Sequence, residues 1–268
     1  MDIYRQHLNL RNQSMAHKQR GSCAIVCGGK TALLAREIRD VDLIAVNSGG
    51  FVEPRRTRYW FFETTDQLFT SGDALRAITL RSIYMANQNF SGQFLFNPAQ
   101  PGAGQVSNLM WAGIERLGVP RVLYNHIQHG SVAKMQAMSA GFKKYDLPHP
   151  IVHCAGSLSL AASFAVFMGY NEISVYGADF NNEYFFHFEE SPEAAMLQQR
   201  ENLLINAHDS RNRGKHESAM REGNHPVNSL SLVSSWGHIP ISQFMNLLIE
   251  STSTEILWRW CSTGDLGK

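Results

Sequence analysis

The stretch that decides the fold runs from Gly156 to Phe180 and reads GSLSLAASFAVFMGYNEISVYGADF. Its first half, Ser157–Met168, is a predicted apolar helix, because serine is a good N-cap residue and the following Gly169 a good C-cap residue. Its second half, Glu172–Tyr176, is a predicted buried strand. Gly177 and Asp179 follow this strand closely, so a polar side chain lies near its carboxyl end.

Strand-like runs alternate with helical patterns along the rest of the chain. The predicted strands are Cys23–Cys27, Asp42–Asn47, Arg58–Glu63, Gln93–Asn97, Arg121–Tyr124 and Glu255–Trp260. The predicted helices are Thr31–Arg39, Asp73–Asn87, Val106–Leu117 and Ile241–Ile249. This alternation implies βαβ units. We therefore predict an α/β protein with a Rossmann-like, mostly parallel sheet, flanking helices and a long lid insertion before the C-terminal helix and strand.

The same patterns predict the domain organisation. Residues 1–20 form a polar lead-in, residues 21–180 a Rossmann-like domain, and residues 237–268 a helix and strand that complete it. Residues 181–236 are polar, with helical periodicity only around Ala194–Ile205. A long irregular insertion beside strand ends is typical of an active-site lid.

Composition narrows the class of protein. The 268 residues are 44% hydrophobic and 18% charged, with a formal net charge of +1, which gives no reason to expect a nucleic-acid partner. The N-terminus lacks the apolar core of a signal peptide, and Leu158–Met168 is too short and too rich in serine to span a bilayer. We expect a soluble, cytoplasmic protein without a transmembrane segment. Peripheral membrane association and homo-oligomerisation remain open.

Cysteines and histidines do not suggest a metal. Cys23 and Cys27 lie in an apolar strand-like run rather than in a zinc knuckle, so we expect reduced cysteines. The pairs His126/His129 and His149/His153 have spacings that suit a metal, yet no third ligand stands at a sensible spacing. We predict no metal site.

Polar residues follow four of the predicted strands: Gly28-Gly29, Asn47-Ser48, Glu63-Thr64 and Gly177–Asp179. In open α/β sheets the ligand lies beyond the carboxyl ends of the strands. Asn47 suits a sugar hydroxyl or a base edge, or is a turn residue. Asp179 suits ribose hydroxyls, or is a turn aspartate.

Two further positions suggest ligand chemistry. Ser157 opens a helix whose N-terminus favours an anion. The run Gly28–Thr31 ends in the Gly-Lys-Thr of a phosphate-binding P-loop, although Ala24 stands where that pattern needs its first glycine. A diphosphotransferase or kinase that uses Mg²⁺ therefore stays as an alternative function.

Among eleven histidines, His238 is the preferred general base. It lies just before Pro240 and the predicted C-terminal helix, where regular structure returns after the insertion, and histidine accepts protons near neutral pH. His225, His187 and His216 are the competing candidates.

The segment Gly156–Phe180 resembles the central motif of bacterial sialyltransferases of glycosyltransferase family 42. AIVCGGKTALL is similar to that family's first strand and glycine turn, and DLIAVNSGGF to its second strand with a terminal asparagine. GHIPISQFMNLLIESTSTEILWRWC is similar to its closing histidine, helix and strand. The order holds over most of residues 22–261. The family has a Rossmann-like, GT-A-variant fold with a lid and uses CMP-sialic acid.

The resemblance implies that residues 21–180 form a nucleotide-sugar-binding domain, and it implies a role for each matching residue. The donor-binding residues are Gly28, Gly29, Asn47, Thr64, Ser157, Leu158, Gly177 and Asp179. The glycines at 28 and 29 approach the phosphate, Ser157 meets the carboxylate of the donor sugar, and Gly177 and Asp179 hold the cytidine. His238 deprotonates the acceptor hydroxyl and Tyr184 stabilises the leaving phosphate. The implied partners are a CMP-sugar donor and a glycan acceptor, in glycan biosynthesis, with no cofactor and no essential Mg²⁺.

The chain also departs from the family's pattern. The family's Gly-Asn-Gly-Pro-Ser turn is Gly-Gly-Lys-Thr-Ala here, and its Asn-Pro-Ser after the third strand is Glu63-Thr64-Thr65. These changes surround the donor sugar more than the cytidine, so an acidic sugar such as Kdo is an alternative to sialic acid. A non-catalytic nucleotide-binding protein is the remaining alternative.

Overall fold

A computed structural model describes the backbone of residues 3–62, 92–96, 121–123, 127–128, 132–145, 150–153, 157–179, 184–207, 231–234, 237–250 and 255–261. The predicted helices Asp73–Asn87 and Val106–Leu117 lie outside these described residues, as do Thr64 and His225. Within the described part of the chain, no helix is both long enough and apolar enough to cross a membrane.

The fold is organised around one parallel sheet of seven strands. Its strands are β1 (Ser22–Val26), β2 (Asp42–Val46), β3 (Thr57–Phe62), β4 (Gln93–Phe96), β5 (Arg121–Leu123), β8 (Glu172–Tyr176) and β11 (Leu257–Trp260). Their order across the sheet is β11-β8-β1-β2-β3-β4-β5, and every pairing is parallel. The predicted Rossmann-like α/β architecture is confirmed.

Helices flank the sheet. They are α1 (Ile3–Met15), α2 (Val132–Lys144), α3 (Ser157–Phe167), α4 (Pro192–Ala207) and α5 (Ile241–Glu250). Two short pairings complete the described structure: β6 (Ile127–Gln128) with β7 (Val152–His153), and the antiparallel hairpin of β9 (Ser231–Ser234) with β10 (Gly237–Pro240).

The alternation of side chains along β1 builds a separate core on each face of the sheet, because successive residues of a strand point to opposite sides. Cys23 and Ile25 join the core that α1, α2, α3 and α5 cover. Ala24 and Val26 join the opposite core, which α4 and the segment around Phe185 cover. Both faces are therefore buried, as a parallel sheet requires.

Helix α3 and strand β8 form as the sequence predicts. Residues 158 to 168 are all buried, which explains a helix that is apolar on every side. Gly169 has φ +73, and its N–H donates to Val166 O at 2.9 Å while Tyr170 N donates to Ala165 O at 3.1 Å. These two bonds are a Schellman C-cap, which stops the helix just before the strand.

The polar lead-in forms α1, which the sequence did not indicate as a helix. Among the side chains of α1 that the structure describes, the buried ones are His7, Leu10 and Ser14; two of these three are polar, so the apolar period is weak. Ser14 replaces apolar packing with hydrogen bonds: its hydroxyl donates to Gln93 at 2.7 Å, and its carbonyl accepts from the Tyr59 hydroxyl at 2.8 Å.

Two other elements differ from the prediction. The segment predicted as the helix Thr31–Arg39 is a shorter 3-10 helix, Lys30–Arg36, that ends on an N–H bond from Glu37 to Leu34 O. The polar insertion contains more regular structure than its periodicity indicates, since β9 and β10 form a hairpin immediately before α5. Its full extent stays a prediction, because residues 208–230 lie outside the described chain.

Candidate functional site

The strand order places the candidate site between β1 and β8. From β1 the chain moves stepwise through β2, β3, β4 and β5 to one side, while β8 and β11 lie on the other side of β1. Ligands of open α/β sheets bind where the strand order reverses, outside the carboxyl ends of the strands. Gly28-Gly29 follow β1, and Gly177–Asp179 follow β8, so both turns lie at this point.

The two turns are joined by a buried polar network centred on Thr31. Its N–H donates to Asp179 Oδ2 at 2.8 Å and its hydroxyl donates to Asp179 Oδ1. The same hydroxyl oxygen accepts the N–H of Gly177 at 2.8 Å. Gly29 N also donates to Gly177 O at 2.7 Å. Asp179 is only 3% exposed, so its carboxylate is a buried acceptor that holds the two turns together.

Glycine is required in this network because the backbones touch. A Cβ atom on Gly29 would lie 2.6 Å from Asp179 Oδ2 and 2.7 Å from Gly177 O. Gly177 has φ +71, which disfavours other residues, and a Cβ there would lie 2.7 Å from Cys27 O. The two glycines therefore allow the ends of β1 and β8 to meet at hydrogen-bonding distance.

The end of β2 packs against the end of β1, next to the same two turns. Asn47 adopts a left-handed conformation with φ 50, which asparagine tolerates better than most residues, and its carbonyl accepts the Trp60 indole N–H at 2.8 Å. Gly49 packs so closely on β1 that a Cβ would lie 2.1 Å from Val26 O. This packing brings Asn47 and Ser48 beside the first turn, and both are half-buried.

Tyr184 covers the first turn from the other side. Its backbone forms an antiparallel bridge with Gly29, and the next residue, Phe185, donates its N–H to Gly28 O at 3.1 Å. The Tyr184 ring stacks on Phe186, with the ring centroids 5.1 Å apart and the planes 3° from parallel. This ring is half-buried and is held by its neighbours rather than free in solvent.

Gly28 lies between two polar side chains. A Cβ on Gly28 would come within 2.4 Å of Ser48 Oγ and 3.6 Å of Tyr184 Cδ1. The sequence indicated Gly28, Asn47 and Tyr184, and it named Ser48 only as part of a strand end, without a role in ligand binding. The signal for Ser48 was its position directly after a predicted strand-end asparagine.

Cys27 was also missed as a neighbour of the site, and its chemistry is constrained. Burial, with a smaller contribution from the Asp179 carboxylate, raises the pKa of Cys27 to about 12. The thiol therefore stays protonated at neutral pH, and a protonated thiol is neither a nucleophile nor a good metal ligand. Across the described residues, no group of three or more His, Cys, Asp or Glu side chains is arranged to hold a metal ion.

The direction of helices α3 and α5 places Ser157 and His238 at the carboxyl edge of the sheet. Helix α3 lies directly before β8 and α5 directly before β11, and both strands are parallel to β1. A helix that returns the chain to the start of the next strand begins at the carboxyl edge. The first residues of α3, Ser157 and the buried Leu158, therefore lie at that edge, as does β10 with His238. For Ser157 and His238, only the backbone is described.

The competing histidine His187 has a described environment. It is exposed, its ring packs edge-on against Tyr184 with centroids 5.5 Å apart, and its Nδ1 accepts the Tyr184 N–H at 3.4 Å. The described structure thus brings Gly28, Gly29, Asn47, Gly177, Asp179 and Tyr184 together, with His187 alongside.

No protein-family model, curated protein or solved structure matches this chain.

Proposed function

We propose that this protein is an inverting glycosyltransferase that moves an acidic sugar, sialic acid or a Kdo-like sugar, from its CMP donor to a glycan hydroxyl. The observation that carries the proposal is the meeting of Gly28-Gly29, Asn47, Gly177–Asp179 and Tyr184 at the point where the strand order of a parallel sheet reverses. Nucleotides bind at such points in open α/β sheets.

The nucleotide half of the donor would lie over the first turn. Gly28 has no side chain to keep a phosphate away from the backbone, and the Ser48 hydroxyl and the edge of the Tyr184 ring lie beside it. Hydroxyl groups donate hydrogen bonds to phosphate oxygens. Asn47, half-buried at the end of β2, would contact the ribose or the base through its amide.

In the proposed site, the role of Asp179 is mainly structural. Both of its carboxylate oxygens accept hydrogen bonds from Thr31, and the side chain is nearly completely buried. We therefore assign it first to holding the turn that the cytidine rests on. Gly177 acts in the same way, because its N–H bond to Thr31 and its close approach to Cys27 fix the end of β8.

The sugar carboxylate would lie at the start of α3. This helix has 11 residues, and the unpaired N–H groups and dipole of an α-helix N-terminus favour an anion. Ser157 would add a hydroxyl donor, and Leu158 would supply an apolar wall. A carboxylate recognised in this way distinguishes an acidic sugar from a neutral one.

The transfer step needs a base for the acceptor and stabilisation of the leaving group. His238 would take the proton of the acceptor hydroxyl as its oxygen bonds to the anomeric carbon, while the bond from that carbon to the CMP phosphate breaks. The electron pair of the broken bond stays on CMP, where the Tyr184 hydroxyl would donate a hydrogen bond to the phosphate. Attack opposite the leaving group inverts the anomeric centre.

The buried environment of Thr31 argues against the kinase alternative. In a P-loop the threonine hydroxyl binds Mg²⁺. Here Thr31 is completely buried, and its hydroxyl is shared between Asp179 and Gly177. A metal ligand at this position would have to break that network.

Release of CMP from CMP-sialic acid and from CMP-Kdo, with and without a glycan acceptor, tests the proposal. We expect turnover of at least one donor in the presence of EDTA. His238→Ala should abolish turnover and leave CMP affinity unchanged, because a general base acts mainly in the transition state. His17→Ala, a half-buried histidine near the amino edge of the sheet, is the matched control and should retain turnover. Failure of wild-type protein to bind CMP or either donor would refute the proposal.

A further inference from the structure

We infer that Lys30 is an anion-binding residue of this site and that its ammonium group contacts the phosphate of the bound nucleotide. Identifying the anion as a nucleotide phosphate rests on the proposed function. The assignment of Lys30 itself rests on its position, its packing and the charges around it.

Lys30 stands one residue after Gly29, at the carboxyl end of β1 and beside the end of β8. It is half-buried, and its Nζ lies 4.2 Å from the centroid of the Phe188 ring. Phe188 belongs to the same segment as Tyr184, whose backbone pairs with Gly29. The ammonium is therefore held at the rim of the turn by an aromatic face instead of moving freely in solvent.

Two acidic groups of these turns, Asp179 and Glu189, already have partners other than Lys30. Asp179 accepts two hydrogen bonds from Thr31, and Glu189, next to Phe188, forms an ion pair with Arg36. Within the described part of the chain, Lys30 itself forms no ion pair. Among the described residues, the ammonium of Lys30 is therefore not engaged by a carboxylate of these turns and can contact an anionic ligand.

The exposed ring of Phe188 explains how Lys30 is held at the rim of the turn. It is 46% exposed, which is unusual for so large an apolar side chain, and its ring attracts a cation through the negative face of its π system. Holding the lysine in place before the ligand arrives reduces the entropy that is lost on binding. A lysine ammonium is a compact point charge that suits a phosphate.

Binding of CMP and of cytidine by calorimetry tests the inference, since the two ligands differ only in the phosphate. Lys30→Ala should weaken CMP binding by at least about tenfold, the usual loss for a hydrogen bond to a charged group, and leave cytidine binding within about twofold. Lys144→Ala is the matched control, because Lys144 also lies over an aromatic ring, Tyr145, at 5.4 Å on the surface of α2. It should change neither affinity.

Phe188 variants test the positioning of the lysine. Phe188→Leu should weaken CMP binding by about two- to fivefold without affecting cytidine, because it removes the ring that holds Lys30. Phe188→Tyr keeps an aromatic face and should restore wild-type affinity. Equal loss for CMP and cytidine in Lys30→Ala would overturn the inference and leave the proposed function standing.

A failure of the proposed function is recognised separately. If the wild-type protein binds no CMP, inorganic pyrophosphate is titrated into the wild type and the same variants. Loss of pyrophosphate binding in Lys30→Ala would keep Lys30 as an anion contact of a different ligand. Unchanged pyrophosphate binding, or no binding by the wild type, would overturn the inference.

Discussion

Replacing Thr31 by valine tests whether the two turns of the site are held by its hydroxyl group. Valine has the shape of threonine, so the substitution removes the hydroxyl with little change in volume. It leaves the buried N–H of Gly177 and one carboxylate oxygen of Asp179 without the partner that Thr31 provides. Each buried polar group that loses its partner costs about 1–3 kcal/mol. With two such groups, we expect Thr31→Val to lower the free energy of unfolding by about 2–6 kcal/mol.

Thr31→Ser is the control, because serine keeps the hydroxyl and loses only one buried methyl group, at a cost of about 1 kcal/mol. Urea unfolding of the wild type and both variants, analysed with a common m-value, measures the difference. The valine variant should also bind CMP more weakly, since the turn of Gly28 and Gly29 would be tied to the end of β8 by fewer hydrogen bonds. A valine variant as stable as the serine variant would show that the Thr31 hydroxyl does not hold the two turns together.

Two other properties of the site follow from its packing. Gly50→Ala should destabilise the protein by about 1–3 kcal/mol or more, because the new Cβ would lie 1.9 Å from the buried ring of Trp60. Gly141→Ala in α2 should instead stabilise it by about 0.5–1 kcal/mol in the same urea experiment, since no described atom outside the local helix backbone lies within 4 Å of the new Cβ. The pKa of Cys27, raised from 9.0 to about 12, means that the folded protein keeps a proton that the unfolded chain loses. Its contribution to stability should be complete below about pH 9 and be lost as the pH rises towards about 12, and alkylation by iodoacetamide at pH 8 should be much slower than in urea. Fast alkylation of Cys27 in the folded protein, identified by peptide mapping, would contradict the raised pKa.

The parts of the fold that the sequence predicts correctly are those that local rules determine. The cap at Gly169 and the strand after it need only a helix C-terminus and an apolar run, and both form as expected. Helix α1 was missed because His7 and Ser14 occupy inward positions that usually carry apolar side chains. Their burial depends on partners far along the chain, such as Gln93 for Ser14, and the local sequence pattern does not indicate these partners.

The candidate site illustrates the same division. The glycines and Asp179 were recognised because they follow strands, and parallel strands bring their carboxyl ends together. The sequence left two roles open for Asp179, and only the contact with Thr31, 148 residues away, reveals its structural role. Ser48 and the ring of Phe188 beside Lys30 depend on how two distant turns pack, which no spacing rule predicts.

Calorimetric titration of CMP into the wild-type protein, with and without EDTA, shows whether a CMP-sugar site lies between β1 and β8. We expect saturable 1:1 binding that EDTA does not change and that Thr31→Val weakens. ATP with Mg²⁺ should not compete at equal concentration. Absence of CMP binding, or tight binding of ATP that depends on Mg²⁺, would contradict a CMP-sugar site between β1 and β8.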